Sequence, residues 1–159
     1  MPTFSAGNRL TANDLMRLPQ TLARVRNAGA GTQSTGTTDT ADAVLGTVSV
    51  VADGVSFYRI AVENLTAAAV TGGTDPAAFR IRDGGASAPT SASTEIAIAP
   101  WRPQGTGGTF QEAVVLGATV QLSAGTHTFG LFSQRTSGAT TNFQPVGDRS
   151  LVVALAGDV

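Results

Sequence analysis

The stretch from residue 109 to residue 135 decides the fold of this 159-residue chain. It reads TFQEAVVLGATVQL over 109–122, Ser-Ala-Gly over 123–125 and THTFGLFSQR over 126–135. The large apolar side chains of the first segment fall at alternate positions on one face, namely Phe110, Val114, Leu116, Val120 and Leu122. A period of two is typical of a β-strand, and a short break that contains glycine is typical of a turn. The pattern predicts two long strands joined by a turn.

Segments of the same kind recur on both sides of this pair. Turns rich in Gly, Asp and Ser separate five further candidate strands, at 44–52, 55–64, 77–83, 94–99 and 149–156. Seven or eight short strands with no helix between them are typical of a β-sandwich or a jelly roll. We therefore predict an all-β jelly roll of antiparallel strands over residues 44–159.

Residues 1–27 have a different pattern, which is helical. Thr11 is a candidate N-cap, and Pro19 interrupts the segment, so we expect one helix at 12–18 and a second that starts at Pro19. Apolar side chains recur three or four positions apart, at Leu15, Leu18, Leu22 and Val25. Short broken helices are marginal alone and need a surface on which to bury such a stripe. We expect residues 1–27 to be an anchor arm, with packing on its own domain as the alternative.

Residues 28–43 read AGAGTQSTGTTDTADA and contain no large apolar side chain. Such a composition cannot build a core, so this tract is predicted to be a flexible linker between the arm and the jelly roll. An ordered tract would need something that holds it in place.

Composition excludes several classes of function. The chain has no Lys and no Cys, its ten basic residues are all Arg, and its formal net charge is −1. It therefore has no basic field for nucleic acid or an anionic membrane, and no disulfides or thiolate metal sites. We expect no nucleic-acid partner, no membrane insertion, no cofactor and no metal. The N-terminus lacks the basic and apolar segments of a secretory signal, so we expect synthesis and assembly in a cytoplasm.

Three residues stand out as candidates for chemistry, and each has a plainer interpretation. His127, the one histidine, lies in a predicted strand and is better explained as a core or interface residue than as a base. Glu112 lies on the apolar face of its strand, where pairing with an Arg or a strand-end position explains it. Trp101 lies between Pro100 and Pro103, as a surface anchor or as a lid over one end of the sandwich. We predict no catalytic residues and no enzyme activity.

The last strand is apolar on both faces, since residues 151–156 read LVVALA. An antiparallel sheet with one wet face should alternate between apolar and polar side chains. The outer face is therefore expected to be covered by the arm or by neighbouring subunits, and homo-oligomerisation is the simpler explanation.

The segment from Phe4 to Leu15 resembles the F-x-A-G-x-x-L-T-A-x-x-L start of virion proteins from phages and prophages, especially phages that infect high-GC actinobacteria. Met16 departs from that pattern, which often has Asn after the last Leu. In those proteins the segment precedes a variable C-terminal domain of a minor tail or fibre-like protein. The resemblance implies that this arm docks to the particle through its apolar residues, Phe4, Leu10, Leu15, Leu18, Leu22 and Val25.

The segment from Val114 to Arg135 resembles the late strands of the trimeric jelly rolls of the tumour-necrosis-factor and complement-globular-head type. In those domains L-x-A-G-x-H/Y-x-F/V joins two long strands, and the final strand runs through the centre of the trimer. The resemblance implies a homotrimer whose interface would include Leu151, Val152, Val153, Leu155 and Phe132.

Together these features predict a non-enzymatic bacteriophage virion protein, with the arm docked to other virion proteins and the jelly roll displayed outward. A minor tail or fibre-type component is the first interpretation, with a host-surface receptor as a further expected partner. The alternative is a capsid decoration protein, which an ordered tract 28–43 would favour, because an arm threaded over a shell gains contacts along its length. A free ligand-binding jelly roll is a third interpretation.

Overall fold

The computed structural model describes residues 20–70, 73–104, 110–138 and 140–156. All regular elements in these ranges are strands: β1 Thr21–Asn27, β2 Thr40–Ala41, β3 Thr47–Ala52, β4 Phe57–Glu63, β5 Thr66–Ala69, β6 Ala77–Asp83, β7 Thr94–Trp101, β8 Phe110–Ala113, β9 Leu116–Gln121, β10 Gly125–Arg135, β11 Phe143–Val146 and β12 Arg149–Leu155. The predicted all-β jelly roll is confirmed. None of the described residues belongs to a helix that could span a membrane.

Two main sheets face each other across the core. The first has the strand order β1-β12-β4-β9, and the second has the order β2-β10-β6-β7, with β3 also paired to β10. A third, small sheet has the order β11-β5-β8. Every pairing is antiparallel.

Alternate side chains of the central strands fill the space between the sheets. Tyr58, Ile60 and Val62 of β4 point inward together, as the alternation in the sequence predicted. They pack in one hydrophobic cluster with the inward side chains of β6, β10 and β12, which are Phe79, Ile81, Phe129, Leu131, Leu151 and Val153. Burial of such side chains is the main stabilising contribution in a sandwich of this kind.

The second predicted helix, from Pro19 onward, is wrong for the residues that the structure describes. Residues 21–27 form β1, an edge strand that pairs with β12 from Thr21↔Ala154 to Asn27↔Arg149. Ala23 and Val25 pack against the core. The spacing of three between Leu22 and Val25 suggested a helix. Instead, the backbone of this segment pairs with β12, and its small apolar face packs against the core. The first predicted helix, 12–18, lies outside the described residues.

The tract 28–43 is not a free linker in the structure, although its composition predicted one. It crosses from the edge of β11, where the Gly31 N–H donates to the Pro145 carbonyl at 2.7 Å, to β2, which pairs with β10 at Phe132 and Ser133. Polar groups hold it, as described below, and apolar burial plays little part. We call residues 28–43 the strap.

The predicted strand 109–122 is two strands. β8 pairs with β5, the chain bends at Val114 and Val115, and β9 pairs with β4. Val115 is left 96% exposed at this bend. At the far end, Gly125 takes a φ of 127°, a left-handed conformation that favours glycine and begins β10 directly after the turn.

Candidate assembly face and polar clusters

The outer face of the β1-β12-β4-β9 sheet is built from small side chains in the middle and arginines around them. The cross-strand register places Arg24, Val152, Ala61 and Gly117 in one row, and Ala154, Arg59 and Thr119 in the next. We call these seven residues the assembly face. At Gly117 an added Cβ would lie 2.8 Å from the Cβ of Ala61, so this position is restricted to glycine and the surface stays flat.

The side chains of one chain already cover the apolar outer side of β12. Val152 is only 3% exposed, and an ion pair from Arg24 of β1 to Glu63 of β4, at 3.3 Å, crosses above that strand. Arg59 lies 3.7 Å from the same carboxylate. Long arginine stems shield apolar surface while their charged ends stay in water. Burial on both faces of β12 therefore needs no second subunit.

This geometry corrects the residues expected at a trimer interface. Leu151 and Val153 have no exposed surface because they point into the core of their own chain. Phe132 is also buried, since its neighbours across the sheet are Ala41 of the strap and Arg80, while the guanidinium of Arg82 lies 6.0 Å from its ring centre. Leu155 packs against the core. Of the five, Val152 alone belongs to the assembly face.

Large apolar side chains are exposed around the assembly face. Phe57, at the end of β4, is 47% exposed, Leu22 in β1 is 44% exposed, and Val115 stands beside the face at the start of β9. A groove of about 490 Å³ runs between Val115 and Arg59 along β4 and β9. A surface bordered by exposed apolar side chains is suited to contact with another protein surface.

The anchor residues divide into two groups. Phe4, Leu10, Leu15 and Leu18 lie outside the described residues. Leu22 lies at the irregular step in the β1–β12 register, where it reaches the surface. Val25 packs against the core and is part of the sandwich, so it is not available as an anchor.

Trp101 closes one end of the core and is not a surface anchor. It is 6% exposed, and its ring lies 6.4 Å from that of Phe79 and 6.5 Å from that of Phe143. Its indole N–H donates to the Glu112 carboxylate at 2.9 Å. That bond explains the unusual carboxylate on β8. Glu112 lies next to the end of the strand, which was one of the two explanations expected from the sequence, and its partner is Trp101 in place of the expected arginine.

The structure brings together three residues that the sequence did not connect. The Nδ1 atom of His127 lies 2.6 Å from the Asp83 carboxylate, and its Nε2 atom lies 3.3 Å from the Ser123 hydroxyl. Nε2 is closer, at 3.0 Å, to the backbone carbonyl of Ser123. Partial burial lowers the pKa of His127, but the Asp83 carboxylate and the Ser123 carbonyl raise it by more than burial lowers it. The pKa of His127 is therefore raised above the usual 6.5.

This Ser-His-Asp cluster has the composition of a catalytic triad, but its hydrogen bonds favour a different role. A general base needs a free lone pair on Nε2 to accept the serine proton. Here Nε2 faces a carbonyl, which can only accept, so the proton belongs on the ring nitrogen. With a carboxylate on the other side, the imidazolium form is favoured. The arrangement is suited to clamping the β9–β10 turn to the end of β6.

Two further clusters hold the strap through buried charges. The Asp39 carboxylate accepts hydrogen bonds from Nη1 of Arg80 at 2.9 Å and from Nε of Arg82 at 2.6 Å. The Asp42 carboxylate accepts two hydrogen bonds from Arg149, from Nε at 3.0 Å and from Nη2 at 2.6 Å. The Arg149 side chain is 0% exposed. These contacts were missed from the sequence because an isolated Asp or Arg carries no signal of its partner.

Within the described ranges no group of three or more His, Asp or Glu side chains could hold a metal ion. No protein-family model matches the chain, and no curated protein matches it. Among solved structures, the Eiger TNF from S. frugiperda aligns with a TM-score of 0.53 at 11% identity, over 88% of this chain and 96% of that chain. An arabinose-bound α-L-arabinofuranosidase aligns with a TM-score of 0.38 at 14% identity, over 89% of this chain and 24% of that chain.

The chain shares the jelly-roll fold of that tumour-necrosis-factor protein. At 11% identity the likeness concerns the fold alone.

Proposed function

We propose that this chain is a non-enzymatic structural subunit of a bacteriophage particle that forms a homotrimer, docks through its N-terminal arm and displays the jelly roll outward. The exposed apolar side chains that border the assembly face, Phe57, Leu22 and Val115, are the observation that supports the trimer. The motif from Phe4 to Leu15 supports the phage setting. The hydrogen bonds of both His127 ring nitrogens, to the Asp83 carboxylate and the Ser123 carbonyl, support a role without catalysis.

The assembly face supports a subunit contact for a physical reason. Phe57 and Val115 would lose exposed apolar surface in such a contact, whereas Val152 and Ala61 are already covered within one chain. Each Å² of apolar surface removed from water contributes roughly 25 cal/mol. The central ion pairs remain satisfied by partners within one chain, so association does not strand a charge.

Between the two particle locations, we favour a tail or fibre-type component. An ordered tract 28–43 would have favoured a decoration protein threaded over a shell. In this chain the order of the strap comes from its own Asp39 and Asp42, bonded to arginines of the same domain. That reason for the decoration alternative is therefore removed, and the decoration protein remains the second candidate.

The trimer is tested by light scattering on the full chain and on the truncation 20–159, which keeps β1 and the strap. Each should have three times the mass of its own chain, which is 16.0 kDa for the full sequence. Val115→Arg and Phe57→Arg should give monomers, because a charge would be buried without a partner. Val51→Arg is the matched control, since Val51 is 79% exposed but lies in β3 of the other sheet. Folded monomers of the unmodified chain would reject the trimer.

The particle role is tested separately. Phage particles purified from the strain that carries this gene should contain the chain in a copy number divisible by three, measured by quantitative mass spectrometry. Deleting residues 1–19 should remove the chain from particles while leaving its fold and its trimeric state in solution unchanged. A chain absent from purified particles would reject the virion proposal.

A further inference from the structure

β1 is attached to the sandwich much more weakly than the strap that follows it. It is an edge strand bonded on one side only, and it has no fully buried residue. Its two ion pairs, Arg24 with Glu63 and Arg26 with Asp148, join exposed groups. Exposed pairs contribute little to stability because water and salt screen them.

The strap is held far more firmly, beginning at Gly29. The fully buried Arg149 donates through Nη1 to the Gly29 carbonyl at 2.8 Å and through Nη2 to Asp42 at 2.6 Å, so one side chain grips both ends of the strap. Gly31 lies against the same guanidinium, where an added Cβ would be 2.5 Å from Nη2. Ser34 and Phe143 exchange two backbone hydrogen bonds at 2.8 and 3.2 Å. Opening the strap would take Asp42 away from Arg149 and leave its buried guanidinium without a carboxylate partner, which is costly.

The weak strand lies on the side of the arm, and the firm contacts lie on the side of the domain. The described chain starts at Gln20, whose carbonyl accepts the Leu155 N–H at 2.8 Å at the open end of β1. A pull on residues 1–19 would therefore act first on this contact between Gln20 and Leu155, then on the pair Thr21↔Ala154 and on the following pairs one at a time. Sequential opening meets less resistance than breaking all pairs together.

We propose that β1 is a releasable strand and that Arg149 is its stop, meaning that the contacts of Arg149 with Gly29 and Asp42 are the point at which release ends. Load through the N-terminal arm detaches residues 20–28 and lengthens the arm by about 30 Å, at about 3.3–3.6 Å per residue. The strap and the remaining strands of the two main sheets stay folded. This gives the subunit a short extensible tether that recovers when β1 pairs again. The use of the tether rests on the proposed docking of the arm.

Hydrogen exchange with mass spectrometry on the isolated full chain tests strand release directly. Amides of residues 21–27 should exchange at least about tenfold faster than those of residues 40–46, a difference of about 1.4 kcal/mol in opening free energy. Their exchange should also depend weakly on urea, because local release exposes little surface. Equal rates with equal urea dependence in the two segments would overturn the proposal, since β1 would then open only when the whole domain unfolds.

Two matched carboxylate-to-amide variants locate the stop. Asp42→Asn should raise exchange in residues 29–42 toward the rate of β1, with β10 unchanged. Asp148→Asn, which removes a surface partner of Arg26, should speed exchange in β1 alone. If Asp42→Asn leaves residues 29–42 as protected as before, Arg149 is not the stop. If that variant does not fold, the comparison of β1 with residues 40–46 in the unmodified chain still decides strand release. Loss of particle docking would not change these rates, so the two proposals fail separately.

Discussion

The pair formed by Asp42 and Arg149 should be among the most important polar contacts in the domain. Both side chains are buried, at 2% and 0% exposure. The second oxygen of Asp42 accepts the Thr32 N–H at 3.0 Å, so the carboxylate also fixes the strap backbone. Replacing Asp42 by Ala would leave a guanidinium in the core bonded only to the carbonyls of Gly29 and Gly147.

The expected cost follows from that geometry. Breaking a buried ion pair by removing one partner costs about 3–5 kcal/mol, because the remaining charge stays desolvated. A typical domain has about 5–15 kcal/mol of total stability, so Asp42→Ala should bring the chain close to unfolding at room temperature. Arg149→Met combined with Asp42→Ala removes both charges and keeps much of the side-chain volume. The double variant should therefore be more stable than Asp42→Ala alone.

Urea unfolding followed by circular dichroism measures these free energies. The sign of the coupling comes from a double-mutant cycle over Asp42→Ala, Arg149→Met and the double variant. Asp148→Ala is the control, because it removes an exposed carboxylate bonded to Arg26. A coupled buried pair is contradicted if Asp42→Ala lowers the free energy of unfolding by no more than Asp148→Ala does. It is also contradicted if the loss in the double variant equals the sum of the losses in the two single variants.

Three further predictions follow from the other clusters. The pKa of His127 is raised in the folded state, so the contribution of its protonated form to stability should be full below pH 6.5 and lost as the pH rises through the folded value. Urea unfolding at pH 5.5 and 8.5 should show this loss in the unmodified chain and a smaller loss in His127→Gln. Equal losses in the two chains would contradict the prediction. Trp101→Phe should lower the free energy of unfolding by about 1–3 kcal/mol, because it leaves the Glu112 carboxylate without the indole donor and opens a gap. Thermal unfolding measures this loss, and an unchanged midpoint temperature would contradict the role of Trp101 as a lid. Ser123 should not react with a fluorophosphonate probe at pH 6, where His127 is protonated and its Nε2 has no free lone pair. Covalent labelling at that pH, seen by mass spectrometry and lost in His127→Gln, would revive an enzyme.

Local pattern was enough to predict the fold class and much of the core. Alternating apolar residues in β4 and β10, with turn residues between the strands, predicted a sandwich, and the strand 77–83 has the predicted bounds. These features are local because side chains in a strand alternate between its two faces, whatever strand lies beside it.

Partners far apart in sequence decided the rest. The segment from Thr21 to Asn27 reads as a helix by spacing and becomes a strand because β12 supplies its hydrogen bonds. The composition of residues 28–43 predicts a free linker, yet the strap is ordered by Arg149, which lies 107 positions beyond Asp42. Ion pairs between such distant residues leave no periodicity along the chain, so the sequence alone could not predict them.

The two apolar faces of β12 show the same division. The sequence alone determined that both faces must be covered, because exposed runs such as Leu151 to Ala156 are unfavourable in water. Tertiary structure decided what covers them: the core lies on one side, and the Arg24–Glu63 pair crosses the other. Hydrophobic burial is non-directional and can be predicted from composition, whereas a covering arginine depends on which strands become neighbours.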